Sequence, residues 1–149
     1  MSDETKIPEG FIKLGVVGVD SGQLVITDPC YIGSCWTHDN PNIPLFTDTV
    51  THPDGVKEEV KRCSPRWSNL IAQINSKELK LTTKYNVQNP FCYSACCNAS
   101  ESGDHQLNFP IRASGAGVCF SSGYGDGVYA VLGRKNEEGR IVEVRIIME

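Results

Sequence analysis

The chain has 149 residues, a formal net charge of −4 from 14 basic and 18 acidic side chains, and a hydrophobic fraction of 40%. These values fit one globular domain with a hydrophobic core, so we expect residues 1–149 to form a single domain with residues 1–10 as a flexible lead. The chain has no cluster of Lys and Arg, which argues against duplex nucleic acid as a partner, because neutralising phosphates requires such clusters. Without a long apolar run or a secretory signal, we expect a cytoplasmic protein with no membrane partner.

Two β-rich runs come first, FIKLGVVGV at 11–19 and GQLVIT at 22–27. We predict two strands that meet at a tight turn containing Gly22. The segment DPCYIGSC ends the second strand, because Pro29 has no backbone N–H to donate. Residues 37–55 are rich in Pro, Asn, Asp and Thr, so we predict a long loop there, anchored by the apolar cluster IPLF.

The strongest helix signal is SPRWSNLIAQINS. Ser64 is suited to the N-cap and Pro65 to the first helical position. Four apolar side chains follow with the spacing i, i+3, i+4 and i+7: Trp67, Leu70, Ile71 and Ile74. We expect the preceding DGVKEEVKRC to add a turn or two of helix before Pro65.

The remaining segments favour β-structure. In ELKLTTKYNV (78–87) apolar and polar residues alternate, which predicts a strand, and residues 92–99 and 107–113 are weaker strand candidates. Three further strands are predicted at the end of the chain, in GVCFSSG, GVYAVLGRK and RIVEVRIIM. The last two are joined by a hairpin at NEEG. About eight strands and one main helix predict a mainly β (α+β) fold. We expect a twisted antiparallel sheet, closed as a sandwich or barrel, with the helix packed against it.

The stretch SSGYGDGVYAV (121–131) places three glycines around one carboxylate, Asp126. We predict that four glycines form turns: Gly22, Gly123, Gly125 and Gly127. Two interpretations of Asp126 stay open. Either its side chain helps to build the turn by accepting hydrogen bonds from backbone amides, or the turn presents the carboxylate to a ligand.

Asp28 occupies a similar position at the end of a strand, so the two carboxylates could meet at one rim. Aromatic side chains and one arginine near the same loops would complete a binding pocket. The candidate ligand-binding set is Asp28, Tyr31, Trp36, Arg112, Tyr124 and Asp126. Alternatively, Asp28 and Asp126 hold a divalent metal ion or share acid and base roles in a hydrolase.

The chain contains seven cysteines, which we expect to be reduced thiols in the cytoplasm. One alternative is a zinc site formed by Cys30, Cys35, Cys92 and Cys96, although their spacing differs from the C-x₂-C pattern of common zinc sites. Another is a nucleophilic Cys30, which would need a nearby base such as His38, His52 or His105.

Two stretches, VDSGQLVITDPCY (19–31) and FSSGYGDGVYAVLGRKNEEGRIVEVRIIM (120–148), resemble the opening and closing patterns of the domain-of-unknown-function 4241 family. Together they cover about 40 of the 149 residues. Tyr124 stands where the family pattern has Trp. The resemblance implies a β-rich fold with adjacent chain ends and a small phage or bacterial protein. It supplies no reaction.

The sequence lacks a phosphate-binding P-loop, an H-E-x-x-H metal motif and a G-x-S-x-G nucleophile motif. We therefore expect a binding domain rather than an enzyme, with no required cofactor. Its ligand would be a small polar or nucleotide-like molecule or a protein partner, as for a phage protein that acts on a host factor or signal. The alternatives are the hydrolase with Asp28 and Asp126, and a structural component of an assembly.

Overall fold

The structure is a computed structural model that describes residues 6–149. Within this range the strands are β1 (Phe11–Val19), β2 (Gln23–Ile26), β3 (Phe46–Thr51), β4 (Lys57–Val60), β5 (Lys80–Tyr85), β6 (Gln106–Asn108), β7 (Ser114–Ser121), β8 (Gly127–Lys135) and β9 (Ile141–Ile147), and the helices are α1 (Pro29–Ser34), α2 (Pro65–Asn75) and α3 (Tyr93–Ser102). The predicted mainly β fold is confirmed. The strands form three antiparallel sheets, ordered β1-β8-β9, β2-β7-β6 and β4-β3-β5, and these sheets are not closed into a barrel.

None of the helices in the described part of the chain is long and apolar enough to cross a membrane. The chain divides into two compact units, each described by itself below. A terminal unit comprises the residues up to Val25 together with Phe120–Glu149, and a central unit comprises Ile26–Cys119. The single domain stays a prediction, and the first five residues of the predicted lead lie outside the described residues.

The terminal unit brings the two ends of the chain together, because β1 pairs with β8 along its length and β8 pairs with β9. The predicted hairpin at NEEG is confirmed. Its Gly139 has a φ of 80° and donates its N–H to the carbonyl of Asn136 at 3.0 Å. The turn before β2 is also present, but β1 and β2 join different sheets rather than pairing with each other.

The central unit contains the predicted amphipathic helix α2. The hydroxyl of Ser64 accepts a hydrogen bond from the N–H of Trp67 at 3.2 Å, as expected for an N-cap. The helix packs on the β4-β3-β5 sheet through a buried cluster of Val50, Val60, Leu70 and Leu79. This apolar packing holds the helix against one face of the sheet, so that the two form adjacent layers.

Two predictions in the central unit were wrong. Residues 37–55 are not one loop, because β3 lies within them, and residues 57–60 form β4 rather than a helical turn. The sequences of both strands are largely polar, because only alternate side chains face α2 and the others face away from it. In β3 the inward residues are Asp48 and Val50, whereas Thr47 and Thr49 lie on the opposite face.

The weak strand prediction at 92–99 was also wrong, since this segment lies in α3. Its buried positions, Ser94 to Cys97 and Ala99, carry only small side chains, so no periodic spacing of large apolar residues marks the helix. The N-cap residue Cys92 makes no side-chain capping bond. Instead, the distant Asp39 accepts hydrogen bonds from the N–H and hydroxyl of Ser94 at 2.7 and 2.8 Å. Gly103 ends the helix with a φ of 78°.

Candidate functional site

The candidate site is a cleft of about 510 Å³ in the central unit, beside the point where β4 ends. β3 and β4 pair from Thr51–Lys57 to Asp48–Val60, but β3 continues to Phe46 in its pairing with β5. Nine residues line the cleft: Pro44, Leu45, Phe46, Thr47, Asp48, Glu59, Val60, Lys61 and Arg62. Its volume falls in the range of small-molecule sites.

A buried ion pair fixes one wall of this cleft. Asp48 faces inward from β3 with a fully buried side chain, whereas the side chain of Arg62 is 44% exposed. The guanidinium of Arg62 donates from Nε to Oδ2 of Asp48 at 2.5 Å and from Nη2 to Oδ1 at 3.1 Å. Thr83 on β5 donates its hydroxyl to Oδ1 of Asp48 at 2.6 Å. The guanidinium is therefore held in one orientation by a two-point contact.

The charge state of Asp48 follows from these bonds. Burial alone would raise the pKa of its carboxyl group, but the hydrogen bonds from Arg62 and Thr83, together with the charge of Arg62, outweigh burial and lower that pKa. Asp48 thus stays ionised and anchors Arg62. It is not available as a general base, because both of its oxygens already accept hydrogen bonds.

Arg62 has hydrogen-bonding capacity left over for a ligand. Its Nε and Nη2 atoms donate hydrogen bonds to Asp48, and Nη2 also donates to the hydroxyl oxygen of Thr83 at 3.2 Å. Among the described residues, no hydrogen-bond partner is found for Nη1, which carries two N–H donors. Arg62 therefore offers a fixed pair of donors at the wall of the cleft.

Aromatic rings support the guanidinium from the sheet and from α2. Its Cζ atom lies 4.3 Å from the ring centroid of Phe46 and 5.7 Å from that of Trp67. The ring of Tyr85 packs edge-on against Phe46 at a centroid distance of 6.0 Å. Cation–π contacts of this kind restrict the arginine further and leave apolar surface beside its donors.

A second polar cluster lies at the other end of the β3–β4 hairpin. Glu58 accepts a hydrogen bond from Nε of Arg66 at 3.0 Å and lies 2.7 Å from Nε2 of His52. The bonds from Arg66 and His52 lower the pKa of Glu58 to about 2. This trio joins α2 to the hairpin, and none of its members lines the cleft.

The carboxylate of Asp28 caps α1 in the central unit. Its Oδ1 atom accepts the N–H of Cys30 at 2.9 Å, and the hydrogen bonds from Cys30 lower the pKa of Asp28. A separate hydrogen bond between the Cys30 side chain and the Asp28 carboxylate raises the pKa of the Cys30 thiol. A raised thiol pKa disfavours the thiolate that a nucleophilic Cys30 would need.

Asp126 lies in the terminal unit and bonds to the turn before β2. Its Oδ1 atom accepts the N–H of Gly22 at 3.0 Å. Three of the glycines proposed as turn formers have positive φ, at 67° for Gly22, 74° for Gly123 and 91° for Gly125. The fourth, Gly127, is the first residue of β8. Asp28 and Asp126, each within its own unit, therefore both accept a hydrogen bond from a backbone N–H. The interpretation that these carboxylates help to build turns requires such bonds.

The other members of the proposed ligand-binding set are distributed between the two units. In the central unit, Tyr31 packs edge-on against Phe109 at 5.0 Å and Trp36 against Phe91 at 5.1 Å. Arg112 has a φ of 65°. In the terminal unit, the side chain of Tyr124 is exposed. The proposed aromatic pocket therefore stays a prediction, and Tyr31 and Trp36 have aromatic partners within the central unit.

All seven cysteines are free thiols. Of the proposed zinc ligands, Cys30 is exposed and Cys35 half-buried, whereas Cys92 and Cys96 are buried. Within residues 6–149, no three His, Cys, Asp or Glu side chains are grouped so that they could hold a metal ion. A hydrogen bond with Cys119 and burial raise the pKa of Cys96, and the same bond lowers the pKa of the buried Cys119.

Comparison with known proteins gives one result. A family model described as a protein of unknown function, DUF4241, matches residues 14–146. The chain belongs to the DUF4241 family. No curated protein and no solved structure matches it.

The DUF4241 match extends well beyond the two stretches that suggested the family, and it includes the whole cleft. The sequence patterns do not reveal the cleft, because Phe46 and Asp48 lie in a segment with the composition of a loop and Arg62 lies in one that resembles a helical extension. One signal was present: in FTDTVT the residues alternate, and Asp48 takes an inward position next to Val50. A charged residue at such a position needs a partner of opposite charge.

Proposed function

We propose that this DUF4241 protein is a binding domain for a small polar ligand and that the cleft beside Arg62 holds it. The observation that carries the proposal is the fixed guanidinium. Arg62 is locked onto the buried Asp48 and keeps both Nη1 donors for another molecule. A donor pair that is oriented before binding loses less entropy when the ligand arrives.

The lining of the cleft indicates what kind of molecule it accepts. Apolar surface comes from Pro44, Leu45, Phe46 and Val60, while Arg62 supplies directed donors. The charges that line the cleft balance, because Asp48 and Glu59 offset Lys61 and Arg62. The ligand is therefore recognised by an acceptor group that meets the cationic Arg62 and by an apolar body that contacts the rest of the lining.

Two variants test the cleft without touching the ion pair. Thr47→Trp places a large side chain on a residue that lines the cleft, and Thr49→Trp places the same side chain two residues further along the same face of β3, outside the lining. Tryptophan is well tolerated in strands, so both variants should fold.

The experiment is an NMR titration of the ¹⁵N-labelled chain with benzoate and with adenosine monophosphate, both of which combine a flat body with acceptor oxygens. We expect at least one probe to shift the amide signals of Phe46, Thr47 and Lys61 in the wild type and in Thr49→Trp. In Thr47→Trp these shifts should fall at least fivefold. Equal shifts in the three proteins would overturn the proposal, and so would the absence of shifts in all three with benzoate, adenosine monophosphate and an acidic tripeptide alike.

A further inference from the structure

The hydrogen-bond pattern of β3 determines which of its backbone groups face the cleft. The N–H of Asn86 donates to the carbonyl of Leu45 at 2.9 Å, so Leu45 bonds toward β5. Antiparallel ladders alternate, and the next residue, Phe46, therefore directs its N–H and carbonyl to the opposite side, toward β4. Every second residue of a strand bonds to the same side, and His52, six residues after Phe46, confirms the direction. Its N–H donates to the carbonyl of Val56, on the β4 side, at 2.8 Å.

On the β4 side, however, the ladder stops before Phe46. The last pair is Asp48 with Val60, and the residue that would face Phe46 in the same register is Arg62, which lies outside β4. Within the described residues, Phe46 has a strand partner only in β5, where it pairs with Tyr85. One N–H donor and one carbonyl acceptor of the strand therefore face the cleft, arranged to receive one residue of another strand.

The same geometry shows where the side chain of such a residue would point. Residues directly opposite each other in an antiparallel pair have their side chains on the same face. Phe46 carries its ring on the face where the guanidinium of Arg62 lies, 4.3 Å from the ring centroid. A carboxylate on the incoming residue would thus approach the two Nη1 donors of Arg62.

We infer that the occupant of the cleft is an extended acidic peptide segment, which pairs one residue with the Phe46 backbone and directs the Asp or Glu side chain of that residue to Arg62. This rests on the proposed function, because it names the ligand class of the same cleft. Strand addition gives affinity through main-chain hydrogen bonds and specificity through the side chain. With only one residue paired, binding of a short peptide is weak.

The test is a titration of the ¹⁵N-labelled full chain with the capped tripeptide acetyl-Val-Glu-Val-amide, followed by NMR. We expect shifts at the amides of Phe46, Thr47 and Lys61. Two matched peptides separate the two contacts. Replacing Glu by Gln removes the charge that meets Arg62, and methylating the backbone nitrogen of Glu removes the donor that meets the Phe46 carbonyl. Each change should weaken binding at least fivefold.

On the protein side, Arg62→Lys keeps a cation for Asp48 but removes the fork of the guanidinium, and it should reduce the preference for Glu over Gln. The ligand-side comparison does not depend on this variant. Equal binding of the methylated and unmethylated peptides, or of Glu and Gln, would overturn the inference. If benzoate or adenosine monophosphate shifts the cleft signals and no peptide does, the peptide inference fails and the cleft function stands. If nothing shifts them, both fail.

Discussion

Asp48 and Arg62 show how one inward-facing carboxylate determines the chemistry of a surface cleft. Asp48 is fully buried, so its charge requires a partner, and Arg62 supplies that partner while staying half in solvent. The result is an arginine with less conformational freedom than an ordinary surface arginine. The ion pair both stabilises the fold and forms one wall of the proposed binding cleft. Different variants are therefore needed to test its contribution to stability and its contribution to binding.

The structural role predicts that Arg62→Gln is destabilising, because it leaves a buried carboxylate without its cation. We expect a loss of about 3 kcal/mol in the free energy of unfolding, the lower end of the range for broken buried pairs, since Arg62 is partly exposed. Urea denaturation measures this loss. Arg140→Gln is the control, since it breaks an ion pair with Glu138 in which both side chains are exposed, and it should change stability by less than about 0.5 kcal/mol. A small effect of Arg62→Gln would contradict the anchoring role of Asp48.

The carboxylate of Asp126 gives a second prediction at this scale. It accepts the N–H of Gly22, so Asp126→Ala should destabilise the chain by about 1 kcal/mol, the usual contribution of such a bond. Asp126→Asn keeps an acceptor oxygen and should have less than half of that effect. Urea unfolding of both variants measures these changes in the free energy of unfolding. If alanine and asparagine leave stability unchanged, the turn does not depend on Asp126, and the interpretation of the carboxylate as a presented ligand group gains support.

At the scale of elements, the sequence predicted α2 and the β8–β9 hairpin because their signals are local. Ser64, Pro65 and the apolar spacing of α2 lie within one segment, and so do Asn136 and Gly139 of the hairpin turn. The helix α3 was missed because its N-terminal cap comes from Asp39, 55 residues away along the chain. The cleft was missed for the same reason, since Asp48, Arg62 and Thr83 meet only after the strands have paired.

The remote cap of α3 yields a prediction for that element. Asp39→Ala removes the acceptor for the N–H and hydroxyl of the buried Ser94, so it should destabilise the chain by about 1 to 2 kcal/mol, as other lost caps do. Asp20→Ala removes an exposed carboxylate of equal charge and serves as the control. Circular dichroism during urea unfolding measures both variants. Equal stability of the two would show that Asp39 does not cap α3.

For the whole molecule, carboxyl groups whose pKa is lowered in the folded state determine how stability responds to acid, and the described residues include four of them: Asp28, Asp48, Glu58 and Glu143. Bonds from Arg66 and His52 hold the pKa of Glu58 at about 2, and bonds from Arg62 and Thr83 lower that of Asp48 despite burial. A carboxyl whose pKa is lower in the folded state stabilises the fold above its unfolded pKa of about 4, and that contribution is lost as the pH falls through the folded value.

The free energy of unfolding should therefore decrease steadily as the pH is lowered from about 5 toward 2, as measured by urea unfolding at each pH. In Glu58→Gln the titration with the pKa of about 2 is absent, so the decrease should be shallower than in the wild type. A stability that is independent of pH over this range would contradict the ion pairs of the β3–β4 hairpin.

The most direct test of the central claim is native mass spectrometry of the wild type, Thr47→Trp and Thr49→Trp, each mixed with an excess of benzoate or adenosine monophosphate. The cleft account predicts a mass excess equal to the mass of a bound probe on the wild type and on Thr49→Trp, and its loss from Thr47→Trp, because Thr47 lines the cleft and Thr49 does not. Identical spectra for the three proteins, with the same excess or with none, would contradict the claim that this cleft binds a ligand.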